Sequence, residues 1–396
     1  MALQKKRKAH ILWLPAWYPS KVDFLPGDFT HRHAEAVSKF VNVTVLYVTK
    51  DPSLSNNSSV VEVTIKGQLQ IYRAYYNSGS GMGKLSKIWS VVIHFRLLFK
   101  LYGLSILEHG GFHLAHIHIS LRQGLFAQWL KWTIGLKYVI TEQNSWFMPV
   151  GNQFYPRSLL MQKMISSNFK NADAVHVVSQ SLGHQLKLKF PFIKTFTTIP
   201  NVVDTNIFHH KKLSTQSRPV HFFTITGDIY HKNTDGIIRA FADFIKQGNE
   251  GVLQIAGPNA NQLSSLVAEL SIDHAIKFFG PLKYDEVAIQ MQQADVLIFF
   301  TRYETFGCVM AESLCCGTPV IASRIPVLEE NLEEFKNTLF VPPEDEAQLT
   351  KKMIQFVVVN SEFNKDQIAD TAQEKYNYEN IGKQFFDFYS RILKES

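Results

Sequence analysis

The chain has 396 residues, of which 45% are hydrophobic and 19% are charged. This length is too great for one ordinary domain, and we expect two domains of about 200 residues, each with a large buried core. No apolar run approaches the roughly 20 residues that cross a bilayer, so no membrane-spanning segment is predicted.

Charge is divided unevenly along the chain. Residues 1–200 carry a net charge of +15 and residues 201–396 a net charge of −8, within a total of +7. Such asymmetry indicates that the first half faces something anionic. No nucleic-acid module is recognisable, so we expect no nucleic acid and favour an anionic membrane surface. A basic surface that serves only solubility is the alternative.

The amino-terminal segment and the cysteines bear on location. Lys5–Lys8 followed by Ile11–Leu14 has the order of a signal peptide, but the apolar part is too short and no small-residue cleavage site follows. A first buried strand is predicted instead. Cys308, Cys315 and Cys316 lack metal-ligand spacing, and adjacent cysteines seldom pair with each other. We therefore expect a reducing cytoplasmic location, where the basic first half could attach peripherally to the membrane.

Strand-like and helix-like segments alternate through the first half, which predicts parallel α/β construction. Asp28–Phe40 has helical spacing and lies between the first two predicted strands. The predicted strands are Ile11–Leu14, Val43–Val48, His116–Ile119, Tyr138–Thr141 and Ala174–Val178.

Lys84–Leu107 is an apolar and basic segment that contains several aromatic residues. A helix on a membrane surface is one interpretation. On a helical wheel, however, Lys84 and Lys87 fall on one side and Arg96 and Lys100 on another. Because no single basic face forms, we favour a helix packed on the core with exposed lysines.

A seam in the pattern lies at Ile199–Phe208, where proline and asparagine break the periodicity, and the polar stretch His209–Ser217 follows it. The second half then repeats the α/β alternation. Tyr378–Leu393 has aromatic residues at helical spacing and is predicted to be a terminal helix. The predicted strands of this half are Val220–Thr226, Val252–Ala256, Ala275–Phe279, Val296–Phe300 and Val320–Ser323.

The most informative stretch is Glu304-Thr-Phe-Gly-Cys-Val-Met-Ala-Glu312. It is predicted to leave a buried strand as a loop and to form a helix over Gly307–Cys316. A glycine at such a turn lets a ligand approach the backbone, and the free amides of the first helical turn offer donors to an anion. Glu304 and Glu312 would then contact two parts of one extended ligand that bears phosphate. Two solvated glutamates beside an ordinary helix are the alternative.

This stretch resembles the E-x7-E signature of retaining nucleotide-sugar glycosyltransferases of family 4 (glycosyl transferases group 1), which adopt the GT-B fold. The resemblance implies two doubly wound, Rossmann-like α/β domains that face a cleft. It implies an acceptor-binding domain at residues 1–201 and a nucleotide-sugar donor domain at residues 202–377. A C-terminal helix at residues 378–396 should cross back and pack on the first domain.

The resemblance also assigns the cations of the donor site. Gly227 opens a loop that resembles the family's diphosphate-binding loop, and Lys232 fits its lysine, where a positive charge neutralises phosphate. The family's arginine would directly follow the glycine, but that residue is Asp228. One cation is therefore missing or is supplied by another residue, such as His231 or Arg302.

Catalytic roles are implied for Glu304 and Lys232. Glu304 should hold the hydroxyls of the donor sugar and favour a cationic transition state. Lys232 should neutralise the charge that grows on the leaving phosphate. The remaining implied donor contacts are Gly280 beside the base, the amides of Phe306, Gly307, Cys308 and Val309 at the sugar and diphosphate, and Glu312 at the ribose hydroxyls.

Gly27, Asp28 and Gln143 are implied next to the acceptor or the transferred sugar. Gly27 and Asp28 belong to Pro26-Gly-Asp-Phe29, which resembles the family's first loop, where a glycine lets the reactants approach the backbone. The family's sugar-proximal histidine is replaced by Gln143, which can hydrogen-bond a hydroxyl but cannot carry a proton. His116 and His118 on the preceding strand are interpreted as core residues.

The implied reaction transfers a hexose-like sugar from a nucleoside diphosphate sugar to a hydroxyl of a glycan or lipid-linked acceptor, with retention at the anomeric carbon. Surface polysaccharide or glycolipid synthesis is the expected context. No cofactor and no catalytic metal are expected, because this family has no Asp-x-Asp requirement. Gln143 and Asp228 together motivate a non-catalytic sugar-nucleotide-binding subunit as the alternative, and a GT-B epimerase that changes the donor alone is another. A phosphorylase would need a lysine for pyridoxal phosphate, and nothing marks one.

Overall fold

Two α/β units make up the chain. The computed structural model describes residues 8–24, 27–79, 83–150, 154–212 and 219–394, without the side chains at positions 84 and 85. Several features of the sequence analysis lie outside this description, namely residues 5–7, Pro26, the side chain of Lys84 and residues 213–218.

The first unit is built on an eight-stranded sheet. Its strands are β1 (His10–Pro15), β2 (Asn42–Lys50), β3 (Ser59–Lys66), β4 (Leu69–Tyr76), β5 (Leu114–His118), β6 (Tyr138–Glu142), β7 (Ala174–Val177) and β8 (Thr197–Thr198). Its helices are α1 (Asp28–Ser38), α2 (Gly83–His109), α3 (Gln123–Ile134), α4 (Leu159–Asn171) and α5 (Gln180–Lys189). The strand order is β3-β4-β2-β1-β5-β6-β7-β8, and among the described strands only the β3–β4 pairing is antiparallel.

The second unit is built on a six-stranded, fully parallel sheet in the order β11-β10-β9-β12-β13-β14. Its strands are β9 (Val220–Ile225), β10 (Gly251–Ala256), β11 (Ile276–Phe278), β12 (Val296–Phe299), β13 (Val320–Ser323) and β14 (Thr338–Val341). Its helices are α6 (Ile229–Lys232), α7 (Thr234–Lys246), α8 (Ser264–Glu269), α9 (Tyr284–Gln293), α10 (Cys308–Cys315), α11 (Pro326–Glu329), α12 (Glu346–Val359) and α13 (Lys365–Tyr376), and α14 (Tyr378–Lys394) follows.

Helices cover both faces of the first sheet, so its central strands are buried on both sides. Every residue of β1 is buried. Leu12 and Leu14 point into the core beneath α2 to α5, whereas Ile11 and Trp13 point into the core beneath α1 and α14. This two-sided burial explains the continuous apolar run of β1, because side chains alternate between the faces of a sheet.

Helix α14 crosses back to the first unit, as predicted. Ile381, Phe385 and Tyr389 recur at helical spacing and are fully buried in the core shared with α1. A Cβ on Gly382 would lie 2.3 Å from the carbonyl oxygen of Ala36, so glycine is needed where the two helices touch.

Each predicted strand has a counterpart whose ends lie within two residues of the prediction, which confirms the doubly wound α/β fold class. The sequence pattern did not predict β3, β4, β8 and β14. The β3–β4 hairpin was missed because β3 is an edge strand with mostly exposed or half-buried side chains. It therefore lacks the apolar run of a buried parallel strand.

Helix α2 corrects one prediction and confirms another. Its segment Ser86–His109 is long and apolar enough to cross a bilayer by length and composition, so the statement that no such run exists was wrong. Leu97, Leu98 and Leu101 nevertheless pack into the core of the first unit, as the core-packed interpretation predicted. Lys87 and Lys100 are exposed.

Candidate active site

Glu304 lies between β12 and α10 with its carboxylate largely buried. Its Oε1 accepts a hydrogen bond of 2.5 Å from Lys232 Nζ, and His231 Nε2 lies 3.5 Å from the same oxygen. Burial alone would raise the pKa of Glu304, but the Lys232 ammonium and His231 outweigh burial and hold that pKa at about 2. Glu304 is therefore ionised at neutral pH and is aligned by a lysine.

The short helix α6 delivers these partners. Asp228 is its N-cap residue, and the Asp228 carboxylate accepts a hydrogen bond of 3.1 Å from the His231 amide. The ring of His231 stacks on Tyr303 at 4.1 Å, and its Nε2 donates to the Tyr303 carbonyl at 2.6 Å. The residue at the expected arginine position is thus a helix cap, which holds His231 and Lys232 toward Glu304.

The two residues considered for the second cation differ in their surroundings. His231 lies beside Glu304. Arg302 is instead held by the Glu344 carboxylate at 3.0 Å and by the Tyr230 carbonyl at 2.5 Å. Of the two, His231 is the better placed to face a ligand that contacts Glu304.

The amino terminus of α10 offers free amides beside Glu304. Gly307 has φ 92° and starts the helix, and the Ala311 amide donates to the Gly307 carbonyl at 3.2 Å. The amides of Cys308, Val309 and Met310 precede that bond and have no helical acceptor. Positive φ and three aligned amides make this turn suited to an anion.

Glu312 is buried one turn further along α10 and is already paired. Its Oε1 accepts a hydrogen bond of 3.0 Å from Nη1 of Arg32, which belongs to α1 of the first unit. Arg32 Nε also lies 2.7 Å from Asp28 Oδ2, and the hydroxyl of Tyr284 donates to Asp28 at 2.9 Å. Burial raises the pKa of Glu312, and Arg32 opposes that rise. A chain of charges therefore crosses the cleft.

Cys308 lies between the two predicted acids. Burial raises the pKa of its thiol to about 12, and Arg32, Glu312 and Glu304 are all close enough to influence it. Asn201, in the segment that joins the units, donates to Cys308 Sγ at 3.3 Å. The structure thus brings both glutamates to one helix terminus, with Glu304 toward Lys232 and Glu312 toward Arg32.

Glu304 also lines a small cleft between the units. The cleft has a volume of about 140 Å³, and Ser181 and Gln185 of α5 face Pro326 of α11 across it. The side chain of Phe306 points elsewhere, packing against Tyr376 in the core. Only the backbone of Phe306 can therefore reach a ligand.

Three glycines meet at the carboxyl edge of the second sheet. Gly227 follows β9, Gly257 follows β10 and Gly280 follows β11. The Gly257 amide donates to the Gly280 carbonyl at 3.1 Å, and a Cβ on Gly257 would lie 1.9 Å from the Thr226 carbonyl oxygen. No atom of the described residues lies within 4 Å of the Cβ position of Gly227 or Gly280, so both face open space. This bare backbone suits a flat ring or a phosphate.

In the first unit, Gly27 and Asp28 lie at the start of α1. Gly27 has φ 79°, and a Cβ there would lie 2.2 Å from the carbonyl oxygen of Trp17, so no other residue fits. Asp28 is occupied by Arg32 and Tyr284. Asp28 therefore acts in this structure as part of the contact between the units.

Gln143 follows β6 and is buried, and neither polar atom of its side chain has a hydrogen-bond partner among the described residues. His118, at the end of β5, is fully buried, and neither of its ring nitrogens has a hydrogen-bond partner among the residues that the structure describes. His116 is bonded to Tyr389 at 2.5 Å and to Thr141 at 2.6 Å, which confirms its interpretation as a core residue. Unpartnered buried polar atoms usually signal a missing ligand or water.

Glu142, Arg32 and Tyr284 were missed by the sequence analysis. The Glu142 carboxylate accepts hydrogen bonds from the backbone amides of Ser120, Gln143 and Asn144. Burial raises the pKa of Glu142 to about 7. Its position directly before Gln143 was an available signal. Arg32 lies four residues after Asp28 in a predicted helix, which places both on one face. Nothing in the sequence marks Tyr284.

Among the residues that the structure describes, no group of three or more His, Cys, Asp or Glu side chains is placed to hold a metal ion.

Comparison with known proteins places this geometry in context. The model "Glycosyltransferase Family 4" matches residues 30–207, and the model "Glycosyl transferases group 1" matches residues 206–374. N-acetyl-alpha-D-glucosaminyl L-malate synthase of Bacillus anthracis is 21% identical over 71% of this chain and 75% of its own length. Alpha-monoglucosyldiacylglycerol synthase of Streptococcus pneumoniae is 28% identical over 45% of this chain and 40% of its own length.

A solved structure gives the match in three dimensions. Sucrose-phosphate synthase from Thermosynechococcus elongatus superimposes with a TM-score of 0.75 at 18% identity, covering 98% of this chain and 100% of that one. Two Rossmann-like units with a returning C-terminal helix have the GT-B fold, and both family models that match this chain describe glycosyltransferase domains. In this chain a Family 4 domain precedes a group 1 domain.

Proposed function

We propose that the protein transfers a hexose-like sugar from a nucleoside diphosphate sugar to an acceptor hydroxyl, with retention at the anomeric carbon. The observation that carries this proposal is the ionised Glu304 carboxylate, held by Lys232 beside the free amides of α10. A fixed negative charge next to a phosphate-binding turn suits a sugar that becomes positive as its phosphate leaves.

Each residue takes one role in this proposal. The diphosphate binds the amides of Cys308 and Val309, and Lys232 neutralises the charge that grows on the leaving oxygen. Glu304 accepts hydrogen bonds from the sugar hydroxyls. The C1–O bond to phosphate breaks, the acceptor oxygen bonds to C1 on the same face, and the acceptor proton passes to the leaving phosphate. This route needs no side chain with the acid-base capacity that Gln143 lacks, and no metal.

Glu312 is proposed to bind the ribose hydroxyls. For this, Arg32 must share or release the Glu312 carboxylate, which it holds at 3.0 Å. Gly227 and Gly280 expose backbone where the diphosphate and base would lie. Nucleotide binding is therefore proposed to act on the contact between the units as well as on the second unit alone.

A donor panel tests the reaction. The protein is incubated with nucleoside diphosphate hexoses and candidate acceptors, products are identified by mass spectrometry, and the anomeric configuration is read by proton NMR. An α-linked product from an α-linked donor is expected. Binding of a donor without transfer or hydrolysis would support the non-catalytic subunit instead, and conversion of the donor sugar without acceptor would support an epimerase.

We also propose that the first unit attaches to an anionic membrane surface in the cytoplasm, where a lipid-linked or membrane-proximal glycan would be the acceptor. The residues that carry this proposal project from α2 and α3, and they are exposed: Ile88, Trp89, Val92, Phe99, Leu107, Leu125, Trp129 and Trp132. The rings of Phe99 and Trp129 lie 4.8 Å apart, so the two helices form one continuous surface.

Charge on this surface complements an anionic bilayer. Residues 83–172 contain ten Lys and Arg against Glu108 and Glu142, and Glu142 is buried. Arg96 and Lys100 are exposed and interleave with Val92 and Phe99 along α2. Aromatic residues with basic neighbours favour the interface of a bilayer with acidic lipids.

Liposome flotation tests this attachment. Binding to vesicles that contain phosphatidylglycerol should weaken with salt and should fall in Trp132→Ser, whose indole is 71% exposed. Ile65→Ser, 58% exposed on the edge strand β3, is the matched control and should bind like the wild type. Equal binding to neutral vesicles, or no binding, would remove the basis for a membrane partner.

A further inference from the structure

A second cavity opens in the first unit, at the carboxyl ends of β1, β2 and β4. Its volume is about 460 Å³. Ala16 and Trp17 line it from the loop that leads to Gly27, and α2 and the start of α3 close its other side. Carboxyl ends of parallel strands are where α/β sheets bind ligands, so this cavity lies where the first unit would bind one.

The cavity is lined by three cations and no anion. Lys50 ends β2, Lys87 projects from α2 and Arg122 precedes α3. None of the three forms an ion pair with any residue that the structure describes, and no Asp or Glu is among the described residues that line the cavity. Three unneutralised positive charges around one concavity create a potential that attracts an anion.

Buried polar groups without partners point into the same space. His94 and Gln123 both line the cavity, with exposed fractions of 3% and 5%. His94 Nε2 and Gln123 Oε1 have no hydrogen-bond partner among the described residues. Burial and the nearby Arg122 lower the pKa of His94 to about 3, so its ring is neutral. Leaving such groups unpaired is unfavourable unless a ligand or water satisfies them.

The start of α3 adds to this arrangement. Arg122 is its N-cap residue and forms no side-chain cap, and the helix runs for 12 residues. The amino terminus of such a helix favours negative charge. Gln123 Oε1 can only accept a hydrogen bond, so the ligand must also carry a donor such as a hydroxyl.

We infer that this cavity binds the acceptor through a phosphate or carboxylate group, held by Lys50, Lys87 and Arg122, with an acceptor hydroxyl bonded to Gln123. That the bound anion belongs to the acceptor rests on the proposed function, but anion binding can be measured without transfer. A soluble phosphorylated sugar and the phosphate of a lipid-linked glycan share this chemistry.

Phosphate titration tests the inference. Trp17 lines the cavity, so inorganic phosphate and glucose 6-phosphate are titrated while tryptophan fluorescence is followed, with and without a saturating nucleoside diphosphate. Arg122→Ala should weaken binding by roughly tenfold or more, since a charge-assisted hydrogen bond is lost. Lys163→Ala, an exposed cation on α4 outside the cavity, should change affinity less than twofold.

A second variant is needed, because misfolding of Arg122→Ala would also abolish binding. Val91 lines the cavity and is 42% exposed, so Val91→Glu should fold and should repel the anion. Loss of phosphate binding in both variants supports the inference for a soluble acceptor. Loss of binding to phosphatidylglycerol vesicles in the same variants, with weak binding of free phosphate, supports it for a lipid-linked acceptor.

Three results would overturn the inference. One is phosphate affinity that is unchanged in Arg122→Ala and Val91→Glu. Another is phosphate binding that a nucleoside diphosphate abolishes, because the ion would then occupy the donor site. The third is the absence of any binding to phosphate, sugar phosphate or anionic vesicles. Failure of nucleoside diphosphates to raise the melting temperature would instead count against the proposed function and leave the anion result readable.

Discussion

The proposed donor side and the proposed acceptor side satisfy their buried polar side chains in different ways. On the donor side, Glu304 is paired with Lys232, and Glu312 is paired with Arg32. On the acceptor side, Gln143 and Gln123 are buried with side-chain atoms that lack partners among the described residues. The two acids are paired before a ligand arrives, whereas the two amide side chains gain hydrogen bonds at these atoms only from a ligand or water.

This difference has a physical basis. A buried carboxylate without a partner would lose its charge or destabilise the fold, so the donor acids need internal partners. A neutral amide is less costly to leave unpaired, at about 1–3 kcal/mol. The two amide side chains can therefore stay unpaired until a ligand binds, whereas the two acids cannot.

The largest expected effect is on the donor side. Glu304→Gln keeps the shape of the side chain but removes the negative charge that stabilises the positive sugar. Transfer should fall by about 10³-fold, because one preorganised electrostatic contact is lost. Steady-state rates measure this change, and nucleotide affinity by calorimetry should stay within a few-fold. Glu269→Gln, an exposed acid on α8, is the control, and a rate near wild type for Glu304→Gln would contradict the assigned role.

Arg32→Met tests the partnership across the cleft. The variant leaves the buried Glu312 and the half-buried Asp28 without their cation, so the free energy of unfolding should fall by about 3–5 kcal/mol. Thermal and urea unfolding measure the loss. Lys39→Met, which breaks an exposed ion pair of 3.9 Å with Glu379, should change stability by less than about 1 kcal/mol. If Arg32→Met were as mild as Lys39→Met, the pair with Glu312 would not hold the units together.

Glu142 gives the acceptor side a pH dependence. Its folded pKa of about 7 lies above its ordinary value of 4.5, so the folded state prefers the protonated acid. The stability that this preference contributes is complete below pH 4.5 and is lost as the pH rises through 7. The loss should be on the order of 3 kcal/mol. Urea unfolding from pH 4 to 8 measures it, and the slope should flatten in Glu142→Gln. Parallel slopes in both proteins would assign the dependence to another group.

The smallest expected effect distinguishes the two sides most sharply. Gln143→Leu removes two unpartnered polar atoms and should stabilise the ligand-free protein by about 1 kcal/mol, while transfer to the acceptor falls. Gln128→Leu is the matched control, because Gln128 is equally buried but bonds to Asn168 at 2.7 Å and to Ser167 at 3.0 Å. That control should be destabilised. Destabilisation of both variants would mean that Gln143 already has partners, such as bound water.

The same contrast explains what the sequence could reveal. The donor residues are local: Glu304, Gly307 and Glu312 lie on one turn and one helix, so spacing predicts their common site. Strands were predictable for the same reason, since buried parallel strands are short continuous apolar runs. The edge strand β3 has no such run, and it was missed.

The spacing of residues along the sequence could not predict the contacts between the units. Arg32 and Glu312 are 280 residues apart, and their meeting depends on how the two sheets face each other. The cavity beside Lys50, Lys87 and Arg122 draws on three separate segments. Its cations were visible in the uneven charge of the first half, but charge alone could not say that they converge.

The buried face of α14 has a consequence for how the protein is made. Phe385 and Tyr389 complete the core beneath one face of the first sheet, yet they are synthesised only after the whole second unit. Until then, Trp13 and its apolar neighbours on that face lack their cover. During synthesis, the amino-terminal half should therefore expose an apolar surface that chaperones can bind. Its folding should become complete only when α14 emerges from the ribosome.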